Sequence, residues 1–108
     1  MAKVCMVFVT APNEEVAAML ARAVVDEGHA ACGNLIPRVR SIYRWQGEVH
    51  DEEETLTVFK TTEAAADGLR IRIVALHPYE CPEVVIVGTD GGHAPYLSWV
   101  ADSVTKKS

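Results

Sequence analysis

Residues 30–61 constrain the fold of this chain more than any other stretch. They read as two extended arms, 30–45 and 48–61, folded back at Gln46-Gly47. Val39, Ser41, Tyr43 and Trp45 alternate with Arg38, Arg40, Ile42 and Arg44, the period-two pattern of a strand. The return arm alternates as well, with Leu56 and Val58 on one face and Thr55, Thr57 and Phe59 on the other. Gly47 supplies the positive φ of a tight hairpin turn. A two-residue loop sets Arg40 opposite Glu53 and Tyr43 opposite His50, which are chemically sensible partners.

The length of this ribbon matters. An arm of 16 residues at roughly 3.3 Å each extends about 50 Å. A globule of this size has a radius of gyration near ~13 Å and a diameter of about 35 Å. The hairpin therefore bends, bulges or projects beyond its core. Pro37, which cannot donate a ladder hydrogen bond, marks the kink or bulge. A projecting arm with Tyr43 and Trp45 needs a cover, and the economical one is another copy of the chain.

At 108 residues the chain is expected to form one domain, residues 1–108, with a core that needs no staples. The formal net charge of -5 argues against nucleic-acid binding, which wants a basic field. Glu48, Asp51, Glu52, Glu53 and Glu54 crowd one short window, which serves solubility and attracts cations. Cys5, Cys32 and Cys81 are odd in number and widely spaced, with no C-x-x-C, so neither a disulfide framework nor a zinc ribbon is expected. No signal peptide is read before the first strand, and no apolar run approaches the ~20 residues of a membrane span. A cytoplasmic, reduced setting is the expectation, with no membrane partner.

Along the chain, Val4 to Thr10 is a continuous apolar run closed by Ala11-Pro12-Asn13, as in a buried central strand. Asn13 is a good N-cap, with Glu14 and Glu15 complementing the helix dipole. Val16, Met19, Leu20, Ala23, Val24 and Glu27 follow helical spacing to a stop at Gly28. After the hairpin, Thr62 caps a helix from Glu63 to about Leu76, striped by Ala66, Leu69, Ile73 and Leu76. Pro78 ends it. Residues 82–88 read as a short apolar strand, and Pro95 opens a last helix over 96–104. Residues 105–108 are expected to fray. The order β-α-β-β-α-β plus a short helix is the α+β, ferredoxin-like split βαβ arrangement. It leaves one sheet face bare in a monomer, a second reason to expect oligomers.

The densest chemistry lies in His77-Pro78-Tyr79-Glu80-Cys81-Pro82, where imidazole, phenol, carboxylate and thiol share a proline-bounded loop. Imidazole and thiolate suit copper or zinc, although adjacent Glu80 and Cys81 diverge if the segment is extended. The plain alternative is a proline-fixed turn with Tyr79 packed inward. His29 and Cys32 point to opposite faces of a strand, and Cys32 reads as a small core residue. Cys5 reads as buried and inert. His50 beside Asp51 reads as a metal donor or as part of an exposed polar arm, and His93 as part of the loop before the last helix. No G-x-S-x-G, H-E-x-x-H or Walker loop is present, so no catalytic residues are assigned and the chain is not read as an enzyme.

Ala30-Ala31-Cys32 with Asn34 and Ile36-Pro37, Ser41-Ile42-Tyr43-x-Trp45-x-Gly47, His77-Pro78-Tyr79 with Pro82-Glu83-Val84, and Tyr96-Leu97-x-Trp99 closely resemble the CutA family of divalent-cation-tolerance proteins. The resemblance runs over nearly the whole chain. It implies a ferredoxin-like subunit in a homotrimer whose long hairpins wrap their neighbours, a link to tolerance of copper and other divalent ions, and a likeness to PII signalling trimers. In some members the copper ligands are a cysteine directly before Thr-Ala-Pro and two consecutive histidines before Pro-Tyr. Here those positions hold Val9, Leu76 and His77, so only His77 matches.

Three functions follow as expectations. The first is a trimeric, non-catalytic protein of divalent-metal tolerance that binds copper-type ions weakly through His77, Glu80 and Cys81. The second is a PII-like small-ligand sensor with a cleft lined by Lys60, Tyr79 and Trp99. The third is a stable trimeric scaffold for partner proteins, with no ligand stabilisation of its own.

Overall fold

The structure is a computed structural model that describes residues 2–104. The expected fraying tail, residues 105–108, lies outside them. Seven elements follow in the order β1 (Val4–Ala11), α1 (Glu14–Asp26), β2 (Cys32–Trp45), β3 (Glu48–Thr62), α2 (Glu63–Leu76), β4 (Val84–Gly88) and α3 (Ala94–Ser103). They build a four-stranded antiparallel sheet in the order β2-β3-β1-β4. This is the α+β, ferredoxin-like arrangement that the element order implies.

Local chemistry accounts for the helix ends. The Asn13 side chain accepts from the Val16 N–H at 2.9 Å, opening α1. Gly28, at φ 81°, turns the chain out of that helix. The Thr62 hydroxyl accepts from Ala65 N–H at 3.3 Å and starts α2, as its sequence position suggests. Pro95 lies in the first turn of α3.

The hairpin keeps the register that its turn predicts, with Arg40 opposite Glu53 and Tyr43 opposite His50. Gln46 and Gly47 both take positive φ, 50° and 82°, the signature of a type I′ turn. The register shifts between Ile36 and Val39, so the bulge falls at Pro37-Arg38. Arg38 sits there at φ 61°. That left-handed conformation costs a non-glycine residue about 1–2 kcal/mol, and glycine returns roughly 0.5–1 kcal/mol of it as unfolded-state entropy. Arg38→Gly is therefore expected to raise stability by about 0.5–1 kcal/mol, read from the urea midpoint at unchanged slope.

The molecule measures 45 × 28 × 22 Å. Strand alternation divides the sheet cleanly. Val7, Val9, Ala11 and Phe59 face α1 and α2 and pack with Leu20, Val24, Leu69 and Ile73 in one core. The opposite face presents Met6, Phe8, Leu56, Val58, Val85 and Val87, following the paired registers. Among the described residues, Leu97 and Val100 of α3 pack on Val4 and Ala31 at one end of the sheet. Ile36, Val85 and Val87 of the same face are exposed. A subunit on its own thus leaves an apolar sheet face open.

Candidate functional site

The extra residue in β2 changes which side chains share a face. Before the bulge, Cys32, Asn34 and Ile36 lie on the helix-free side; after it, Val39, Ser41 and Tyr43 do. Glu54 and Glu52 of β3 stand opposite Val39 and Ser41. This brings the root of the hairpin against the loop that joins α2 to β4. Between them lies a groove of about 1000 Å³, lined by residues that include Thr10, Arg40, Tyr43, Glu54, Tyr79 and Glu83. Trp45, Glu52, Glu53, Glu80 and Cys81 line it as well.

His77 organises one wall. It is buried, at 7% exposure. Its Nε2 donates to the Thr10 carbonyl at 2.7 Å, just past Val9↔Val84, where the β1–β4 ladder ends. Its Nδ1 accepts from the Tyr79 N–H at 3.1 Å. The two bonds together specify a neutral imidazole with the proton on Nε2. Neither nitrogen is left to face an ion, so ligation by His77 requires breaking one of these bonds.

Tyr79 carries the contact onward. Its ring lies 4.7 Å from that of His77, and its hydroxyl donates to Glu54 Oε2 at 2.9 Å. Burial first, and then the hydrogen bond to the Glu54 carboxylate, push the Tyr79 phenol well above its ordinary range. Glu83 is held above the usual carboxylate range by burial and then by the charge of Glu54. On the hairpin side, the Tyr43 hydroxyl donates to Glu52, and this bond helps push its phenol up to about 12. Arg40 is tied to Asp51 by two bonds of 2.9 and 2.7 Å, rather than to its register partner Glu53.

The remaining sequence candidates are scattered. Glu80 and Cys81 are exposed on the groove. Lys60 donates to Asn34 on the helix-free face. It stands six residues along β3 from Glu54, about 20 Å at strand spacing, so one subunit does not bring it to Tyr79. Trp99 packs at 5.6 Å against Tyr96, whose hydroxyl meets Cys32 Sγ at 3.6 Å. Cys32 is accordingly half-buried beneath α3 rather than in the core. Cys5 is buried, and burial raises its thiol. His50 stacks on Tyr43 with ring centroids 5.1 Å apart. His29 sits 3.5 Å from Glu27, and His93 precedes α3 as its N-cap.

Residues 5–103 match the family model described as CutA1 divalent ion tolerance protein. The chain belongs to the CutA family. It is 46% identical over 98 residues to the divalent-cation tolerance protein CutA of Thermus thermophilus, covering 91% of this chain and 95% of that one. Human protein CutA is 43% identical over 105 residues, but the match spans 91% of this chain and only 59% of the human protein. Among solved structures, the Thermus thermophilus protein superposes with a TM-score of 0.91 at 44% identity, covering 94% and 99% of the two chains. Rice CutA1 superposes at 0.94 with 36% identity, covering 98% and 97%.

Whether this CutA chain can itself hold a divalent ion is a question of donor geometry. Among the described residues no group of three or more His, Cys, Asp or Glu side chains lies close enough to hold one. One subunit offers dispersed donors, not a closed coordination shell. The buried position of Glu54 was not foreseen from sequence, because it sits in a run of carboxylates that reads as a solvated face. The one available signal was its placement directly before the apolar alternation of Thr55 to Phe59.

Proposed function

We propose that this CutA protein acts in divalent-ion tolerance as a non-catalytic homotrimer that binds copper-type ions weakly at Glu80 and Cys81. The observation that carries the reading is the groove itself. Its lining includes five glutamates, Glu52, Glu53, Glu54, Glu80 and Glu83, and the exposed thiol of Cys81, while its one arginine is already paired. Such a field concentrates cations at the rim, and a thiol selects softer ones. His77 has a positioning role here, since its ring holds Tyr79 and the loop that carries Glu80 and Cys81. The trimer is supported by the open apolar sheet face and by the length of the hairpin. The three cysteines are unpaired, which fits a reducing cytoplasm. No helix among the described residues is long and apolar enough to cross a membrane.

Calorimetric titration with copper and zinc tests the site. Copper is expected to bind more tightly than zinc, and Cys81→Ser to weaken copper by about tenfold or more. Copper binding that is identical in Cys81→Ser removes the assignment. Light scattering at working concentration checks the assembly: a folded, single-chain species contradicts the trimer.

A further inference from the structure

The helix-free side of β3 is charged at both ends and apolar between them. Glu52 and Glu54 stand on it beside the groove, Leu56 and Val58 follow, and Lys60 lies beyond them. Lys60 is half-buried between its ladder partners Met6 and Cys32. Its ammonium donates to the side-chain oxygen of Asn34, and among the described residues no carboxylate comes within ion-pairing distance of it. Six residues of strand, about 20 Å, separate it from Glu54. A subunit cannot close this pair on itself.

Covering the sheet face changes what Lys60 needs. On an open face its charge is hydrated. A neighbour laid over Met6, Val58 and Val87 removes that water, and an ammonium so covered requires a carboxylate. Asn34 is a neutral amide and does not supply one. A closed ring of three is built on a heterologous contact, in which two different patches of the same chain meet. The acidic and basic ends of this face are two such patches, and the exposed apolar residues between them, Ile36, Val85 and Val87, are buried when they meet. We propose that copies associate head to tail across this face, with Lys60 of one chain entering the groove of the next and pairing with Glu52 and Glu54. The groove is then a composite site, whose wall beside Tyr79 is completed by a cation from a neighbouring copy. This rests on the trimer reading and adds the contact that gives the trimer its direction.

A double-mutant cycle on assembly tests this, because residues so far apart in one chain couple only if they touch across chains. Sedimentation over a dilution series, at a fixed sub-denaturing urea concentration, compares the parent with Lys60→Met, with Glu52→Gln/Glu54→Gln and with the triple variant. Glutamine at position 54 keeps an acceptor for Tyr79. Each of the first two variants is expected to dissociate at a concentration about tenfold or more above the parent, and the triple variant at no higher a concentration than the weaker of them. A zero-length carbodiimide, which joins an amine to a carboxylate only in contact, is expected to link Lys60 to Glu52 or Glu54 between chains. Effects that multiply independently in an intact trimer overturn the Lys60 contact and leave the trimer standing, as do links from Lys60 only to other carboxylates. A parent that sediments as a folded single chain removes both readings. A parent dimer overturns the head-to-tail direction.

Discussion

His77→Ala is expected to lower the free energy of unfolding by about 2–4 kcal/mol, measured by urea denaturation at fixed protein concentration. Two backbone groups lose their partner at once, the buried carbonyl of Thr10 and the part-buried N–H of Tyr79. Each group left without a hydrogen bond costs about 1–3 kcal/mol. His77→Gln is expected to recover roughly half of the loss, because its amide nitrogen reaches where Nε2 stood but cannot also serve Tyr79. The same variant separates two roles. If the ring positions the loop, copper affinity of folded His77→Gln changes little; if it ligates the ion, affinity falls far more than stability does. A His77→Ala protein as stable as the parent contradicts the buried, doubly bonded imidazole.

Phe59→Ala is expected to cost about 3–5 kcal/mol, the largest effect of any single substitution considered. Phe59 is fully buried at the centre of the sheet, opposite Val7, in contact with the core that α1 and α2 close. Its ring also occupies the space beside Gly33. A Cβ at Gly33 meets two ring carbons of Phe59 at 2.9 Å, so the ring and the glycine fit each other. The void left by alanine cannot collapse easily, because strands on both sides hold β3 in register. Chemical denaturation with an unchanged m-value checks it; a loss under about 1 kcal/mol places the ring outside a close-packed core.

Much of the architecture was open to reading from short-range patterns. Alternation across Val39 to Trp45 and Leu56 to Phe59 depends only on strand period, and the Gln46-Gly47 turn then sets the pairing of Arg40 with Glu53 and Tyr43 with His50. The capping residues Asn13 and Thr62 act within one helical turn. Pro37 announced the bulge because its ring lacks a donor. Edges were less legible: β2 begins at Cys32 and β4 at Val84, each two residues later than the pattern suggests.

The site was harder to see. His77 stood out as a metal donor by residue type, yet its ring spans from Tyr79 to Thr10, 67 residues away. Nothing local shows that both nitrogens are taken. Lys60, Tyr79 and Trp99 share an apparent chemistry, but strand length separates Lys60 from Tyr79 within a subunit.

By itself, then, the order of residues determined the elements, their turn types, the hairpin register and the family, because period and turn chemistry act over a few neighbouring residues. Tertiary structure alone decided that Glu54 lies buried under Tyr79, 25 residues away, and that Arg40 answers Asp51 rather than the groove. The reason is that burial and electrostatic pairing depend on which distant surfaces the closed sheet brings together, and a run of glutamates looks the same whether or not another segment comes to cover its end.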